Sequence, residues 1–185
     1  MRENGNNISL MDSRQFNIDE TGRSIGIFSS ELPICVDWKL IEELKEIATS
    51  STDKNVRLCL HSNPDALFHT MIIVEKQGKY YPPHRHVDKG ECFHIIKGSM
   101  GIFSFDIDGV VIDCARLEPM NNFIYRVAEN MYHSVIPLTP VVVYHESKVG
   151  PFRGRKDSIV APWAPDGSDT AENEEYYSIL LRELS

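Results

Sequence analysis

The chain has 185 residues, enough for one domain with a sizeable core and near the lower practical limit for two. Hydrophobic residues make up 42% and charged residues 25%, ordinary globular usage that excludes collagen-like, fully disordered and membrane-embedded classes. Nineteen Lys and Arg against twenty-seven Asp and Glu leave a formal charge of -8, the wrong sign for neutralising phosphates, so neither nucleic acid nor an anionic membrane is expected as a partner.

The start, MRENGNNISLMDSRQ, lacks the apolar stretch of a secretory signal, and no run approaches the roughly 20 apolar residues of a membrane span, so a cytoplasmic location is expected. Residues 1–34 are rich in Asn, Ser, Gly and Asp with sparse apolar positions, and read as a flexible N-terminal arm available to a partner subunit. From Asp37, the segment DWKLIEELKEIATS spaces Leu40, Ile41, Leu44, Ile47 and Ala48 as one helical face, with Asp37 as N-cap.

A different rhythm follows. Short β-rich runs occur at VRLCL, TMIIVEK, CFHIIKG, GIFSFDI, VVIDCARL, NFIYRV, HSVIPL and VVVYHE, bounded by turn residues. Closely spaced short strands predict an all-β fold, a small antiparallel β-barrel of jelly-roll type with the amphipathic helix packed outside it, over residues 35–152. Asp108-Gly109 between two apolar runs marks a tight hairpin. Residues 153–185, dense in Pro, Gly and charge, read as an irregular C-terminal extension, with 166–175 a solvated acidic link and EEYYSILLREL marginal as an isolated helix. The open edges of such a barrel favour a homodimer in which a partner's arm covers them. Cys35, Cys59, Cys92 and Cys114 form no C-x-x-C pair and read as reduced, structural thiols.

The chemistry concentrates in GKYYPPHRHVDKGECFHIIKG. His84 and His86 stand two apart, so on an extended strand both imidazoles project from one face. A turn through Val87-Asp88-Lys89-Gly90 reverses the chain, and on the returning strand Glu91, Phe93 and Ile95 share a face, which brings the carboxylate beside the imidazoles. Two nitrogens and one hard oxygen suit a divalent first-row transition metal and leave coordination positions open to a substrate or dioxygen. His133, opening a strand after a turn at Glu129-Asn130, is the expected fourth ligand, and Asn130 tolerates the left-handed backbone such a turn needs. His94 alternates away from Glu91 and is expected to point outward, while His69 and His145 read as structural or surface residues.

Gly78, five residues, His84, one, His86, four, Glu91, six, then Gly98 resembles the first motif of the cupin superfamily without a gap. In the second motif His133 stands at the metal-ligand position, with Asn130 where Gly is usual and Pro137 where Asn is common. Over residues 35–166 the chain is most similar to the WbuC family of cupin-fold metalloproteins. The likeness rests on RLCLHS with Arg57 and His61, the PPHRH and KGE core, the FDIDG hairpin, and the tail pieces HESKVGPF, KD and APWAP; Gly90 stands where relatives carry Trp. The resemblance implies one divalent ion on His84, His86, Glu91 and His133, iron, manganese, nickel, copper or zinc being equally compatible with that donor set. It also implies a place in bacterial surface-polysaccharide metabolism.

Around the ion, Arg57, Cys59 and His61 recur with period two and share a face if VRLCLHS is a strand. Two readings stand: Arg57 and His61 serve a carboxylate or phosphate ligand, or Arg57 pairs with an acid at the barrel edge and His61 is a satisfied structural histidine. Tyr125 and Tyr144 either offer hydroxyls to the pocket or pack in the core. Arg57, His61 and Tyr125 are the candidate catalytic residues. Two functions follow: an enzyme of isomerase, epimerase or oxygenase type on a small anionic or sugar-derived metabolite, and a non-catalytic binding or sensing module that uses the metal as anchor.

Overall fold

The computed structural model describes residues 9, 10, 12, 14–30 and 33–184. Strands β1 (Phe16–Asp19) and β2 (Ser24–Ser29) precede helix α1 (Trp38–Ser50), and β3 (Asn55–Cys59) and β4 (Phe68–Lys76) follow it. Then come β5 (His84–Arg85), β6 (Glu91–Lys97), β7 (Met100–Phe105), β8 (Val111–Leu117), β9 (Ile124–Val127), β10 (Tyr132–Pro137), β11 (Val141–Val149), β12 (Ile159–Val160) and helix α2 (Thr170–Glu183). The eight β-rich runs are β3, β4, β6 to β11, in the expected order.

Two sheets form, β1-β2-β3-β4-β11-β6-β9 and β12-β5-β10-β7-β8. They face each other without closing into a barrel, and the β2–β3 pair is parallel, which corrects the expectation of an antiparallel barrel. The core has three layers. Leu40, Ile41, Leu44 and Ala48 of α1 pack on Val56, Leu58, Ile72 and Val74, the outer face of the large sheet. Phe93, Ile95, Met100, Ile102, Leu117, Val142 and Tyr144 fill the space between the sheets. Phe103, Phe105, Tyr132 and Ile136 on the outer face of the small sheet are covered by Ala161, Trp163 and Leu180.

Helix α1 starts where the sequence places it, the Asp37 carboxylate accepting the Leu40 amide hydrogen at 2.9 Å, a cap contributing about 1 kcal/mol. The hairpin between β7 and β8 turns at Gly109, φ 91°, where a side chain would also collide with the Trp163 ring. Two segments depart from expectation. Residues 16–29 do not form a frayed arm: β2 pairs with β3 of its own chain because Ile25 and Ile27, two apart, complete the apolar surface under α1. The supposed acidic link carries the start of α2, whose N-cap Asp169 accepts from the Ala171 and Glu172 amides, so the C-terminal extension is part helix and part of the core rather than irregular throughout. Among the described residues no helix is long and apolar enough to cross a membrane. All four cysteines are free, Cys59 buried.

Candidate metal centre

Backbone register builds the site. Pro82 and Pro83 keep the chain extended into the two-residue strand β5, whose His84 lies directly opposite His133 of β10, so the two imidazoles share a face. His86 follows by alternation, its ring 5.3 Å from that of His84. Glu91 opens β6 in the opposite sheet, opposite Val127 of β9 and Lys148 of β11. β9 passes so close to the turn before Glu91 that a Cβ at Gly90 would lie 2.9 Å from the Val127 carbonyl oxygen. Asn130, φ 62°, makes the turn into β10; its amide donates to the His86 carbonyl at 2.7 Å and its side-chain oxygen accepts from Arg85 at 2.8 Å. Asn therefore adds to the left-handed turn a bond that Gly lacks.

One ligand atom from each of His84, His86, Glu91 and His133 lies within 4.8 Å of the other three, and His86, Glu91 and His133 are buried. Each histidine presents Nδ1 to a carbonyl oxygen: His84 to Pro82 at 3.4 Å, His133 to Met131 at 3.1 Å and His86 to Asp157 at 2.5 Å. A carbonyl only accepts, so in neutral imidazoles the hydrogen is on Nδ1 and Nε2 is bare. The Nε2 atoms of His86 and His133 stand 3.0 and 2.8 Å from the two oxygens of Glu91, lone pair toward lone pair, and neither finds a hydrogen-bond partner. Such a set fits a cation at its centre. His94 is exposed and takes no part.

Burial opposes charge on Glu91, but the Lys148 ammonium, joined by His133 and His86 when their rings are protonated, outweighs it and holds the carboxyl well below its ordinary value. Lys148 donates to Glu91 Oε1 at 2.6 Å and to Glu146 Oε1 at 3.0 Å; those two carboxylates outweigh its own burial and push it above the ordinary lysine range. Two carboxylates and one ammonium leave a net negative charge facing the imidazoles. Burial, with His133 beside it, pushes His84 down to about 3, which keeps that ring unprotonated and available to a metal.

The other predicted residues lie elsewhere. Arg57 shares the inner face of the sheet with Cys59, but its charge falls on Asp19, which Thr21 hydrogen bonds and then Arg57 hold below the usual carboxylate range. His61 stacks on His69 at 4.2 Å, and its Nδ1 lies 3.2 Å from the Thr70 carbonyl oxygen. Neither belongs to the four convergent residues. Tyr125 does reach the space between the sheets. Its hydroxyl donates to Asp113 of β8 at 2.5 Å and lies 3.0 Å from the Ser104 hydroxyl, linking the unpaired edges of the two sheets. Ser104 is directly opposite His133 in the strand register, and Tyr125, Asp113 and Ser104 line a cleft of about 420 Å³ with Met131 and Arg126.

Four contributors escaped the sequence reading. Lys148 and Glu146 were legible in principle, since 144, 146 and 148 alternate onto one face if VVVYHE runs on to Val149. Asp157 and Lys89 form a buried ion pair across 68 residues, for which no local pattern exists.

A family model described as a domain of unknown function, DUF6016, matches residues 36–117, a stretch from α1 to β8 that includes His84, His86 and Glu91 and stops before His133. No curated protein matches the chain. Two solved structures of CapF are similar. One holds the inhibitor 3-isopropenyl-tropolone, at 17% identity and TM-score 0.50 over 60% of this chain and 33% of that one. The other is the capsular polysaccharide assembling protein CapF from Staphylococcus aureus, at 16% identity and TM-score 0.51 over 60% of this chain and 32% of that one. The chain has a cupin fold. It spans about a third of the length of the CapF chains it matches. An L-ribose isomerase from Cellulomonas parahominis, solved with L-psicose, is more distant: 16% identity, TM-score 0.43, over 52% of this chain and 59% of that one.

Proposed function

We propose that this cupin is a metal-dependent enzyme acting on a small sugar-derived or anionic metabolite by an isomerase, epimerase or oxygenase type of reaction. The observation that carries the reading is the convergence of bare Nε2 atoms on an ionised carboxylate in a buried site. A divalent ion held by His84, His86, Glu91 and His133 supplies Lewis acidity or a centre for dioxygen; iron, manganese, nickel, copper and zinc all suit the donors.

The chain's own residues do the rest. Lys148 holds Glu91 Oε1 and so turns the carboxylate. Tyr125, pushed up to about 12 by burial and by Asp113, keeps its proton at neutral pH, and its single hydroxyl hydrogen, given to Asp113 in this structure, turns to a substrate oxygen in the cleft when one binds. Ser104 and Asp113 suit sugar hydroxyls, and Arg126 at the rim suits a carboxylate or phosphate.

Membership of the WbuC family, and with it surface-polysaccharide metabolism, is supported by the places its tail pieces take: Lys148 of HESKVGPF on Glu91, Asp157 of KD on His86, and Trp163 of APWAP against Phe105 and Tyr132. The cytoplasmic homodimer belongs to the same reading. Ile112 and Ile124, on the unpaired sheet edges, are 54% and 52% exposed, and light scattering of the purified protein decides the oligomeric state.

The alternative, a non-catalytic binding module, draws on one observation: His61 is engaged by Thr70 and His69, leaving Tyr125 to carry proton transfer. Elemental analysis of protein purified without added metal should find one divalent ion per chain, lost in His84→Ala and His86→Ala. Nucleotide sugars, sugar phosphates and small carboxylates are then screened by thermal shift and followed by NMR. Conversion by the loaded protein supports the enzyme; hits that stay unchanged aerobically and anaerobically support the module.

A further inference from the structure

The three ligand histidines are not oriented in the same way. His84 and His133 donate to carbonyls two residues before them, in their own loops, whereas His86 depends on the carbonyl of Asp157, 71 residues away. Asp157 lies in a strap that crosses the metal-binding end after β11. Beyond it, β12 pairs with β5, Val160 opposite His84 and Ile159 opposite Arg85, and the Ala161 amide donates to the Pro83 carbonyl at 2.8 Å.

The carbonyl is held in place through the Asp157 side chain. That carboxylate is buried, and its Oδ1 accepts from the Lys89 ammonium and from the Arg153 amide, the latter at 3.1 Å. Lys89, 3% exposed, also donates to the Pro151 carbonyl at 2.5 Å. Lys89 sits in the turn between His86 and Glu91. One ion pair thus ties the turn that carries two ligands to the strap that orients one of them.

We propose that Asp157 is a positioning residue of the metal site, its ion pair with Lys89 anchoring the strap so that the Asp157 carbonyl fixes His86 in the tautomer whose Nε2 faces the ion. The inference rests on the metal reading above and adds a linkage: strap docking raises metal affinity, and by reciprocity metal stabilises the docked strap. The strap carries its own reporter, since Arg153, Arg155 and Lys156 are exposed and cleavable by trypsin once the segment lifts.

The experiment compares wild type with Asp157→Ala, Asp157→Asn and the double variant Lys89→Met/Asp157→Asn, which leaves no buried charge unpaired. Zn²⁺ affinity is read by competition with a chromophoric chelator. Asp157→Ala should lose about 10–100-fold, and Asp157→Asn, whose amide oxygen still accepts from Arg153 and Lys89, should recover most of it. In metal-free protein, ¹⁵N–¹H spectra of the imidazoles should show His86 as the Nδ1–H tautomer in wild type and a mixture in Asp157→Ala. Zn²⁺ should slow tryptic cleavage at 153–156 in wild type at least tenfold, on the order of its gain in affinity, and only weakly in Asp157→Ala. A merely structural role lowers thermal stability without moving the His86 tautomer. Unchanged Zn²⁺ affinity in Asp157→Ala, or in the double variant if the single one does not fold, overturns the proposal, as does an unchanged tautomer. Wild type that takes up no Zn²⁺ or other divalent ion defeats the metal reading, while the tautomer measurement in the same protein still decides the role of Asp157.

Discussion

Glu91 and Glu75 sit on the same inner face of the large sheet, at opposite ends of β11, and each is 3% exposed. Their carboxyls are shifted in opposite directions. Glu91 meets an ammonium and two imidazoles and is held as a carboxylate. Glu75 has one hydrogen bond, from the Tyr144 hydroxyl at 2.9 Å, and its Oε1 has no partner; burial pushes it up to about 7 and Tyr144 only partly offsets that. Equal burial comes with shifts in opposite directions because the partners differ, and only the end with an ionised carboxylate beside imidazole nitrogens is suited to a dication.

The sharpest way to break this contrast is Glu91→Gln. It removes the charge that Lys148 and the imidazoles surround, so metal affinity should fall by more than the 100-fold or so typical of an outer-shell change. Metal-free protein should lose about 3 kcal/mol in urea denaturation, the low end for a broken buried pair because Glu146 still holds Lys148. Retained metal and retained stability together would remove the distinction between the two ends.

Glu75→Gln should do the reverse. A carboxyl raised in the folded state binds its proton more tightly there than in the unfolded chain, so its contribution is present below about pH 4.5 and lost as pH rises through 7. At pH 8 the variant should exceed wild type by about 3 kcal/mol, the free energy of ionising a carboxyl raised to about 7, with metal content unchanged. At pH 4.5 the two should coincide. A variant no more stable at pH 8 would show that Glu75 is ionised without penalty.

His61 titrates in the opposite sense. Burial, then His69, lowers it to about 4, so the unfolded chain takes up the proton first as pH falls below 6.5. Stability from this group is complete above 6.5 and declines toward 4, by about 2 kcal/mol at pH 5. Burial lowers His69 and His145 likewise. Glu75 offsets this slope in wild type, so chemical denaturation between pH 7 and 5 should be steeper with pH in Glu75→Gln. Parallel profiles would contradict Glu75, and a Glu75→Gln profile that stays flat between pH 7 and 5 would contradict His61.

The legibility of the molecule divides along the same line. The convergence of the four residues was readable because period-two alternation and one short turn put His84, His86 and Glu91 together, and Asn130 marked the turn that aims His133. Helix α1 was readable from its cap and its apolar spacing. What escaped was set by distance in sequence: β1 and β2 are short and half polar, and only α1 and β3 give Ile25 and Ile27 something to cover. Helix α2 is similar, with Leu180 buried solely because Phe103 and Phe105 wait on the outer face of β7. Arg57 and Cys59 share a face of β3, which ends before His61, and a shared face does not fix which neighbour a long side chain meets.

The smallest expected effect on the fold is at Tyr125, and it bears most directly on chemistry. Its hydroxyl joins β9 to β8 across the open seam, but Asp113 is exposed and water replaces the lost bond, so Tyr125→Phe should cost about 1 kcal/mol or less. Metal content should not change, because Tyr125 contacts Ser104 and Asp113 rather than a ligand atom. If the hydroxyl serves a substrate in the cleft, a turned-over compound identified by NMR should still raise the melting temperature of the variant while its conversion falls by about 100-fold or more, the usual scale of a positioned proton donor. Conversion at the wild-type rate would confine Tyr125 to holding the seam, and proton transfer would then have to come from another group lining the cleft, of which Asp113 is the carboxylate within reach.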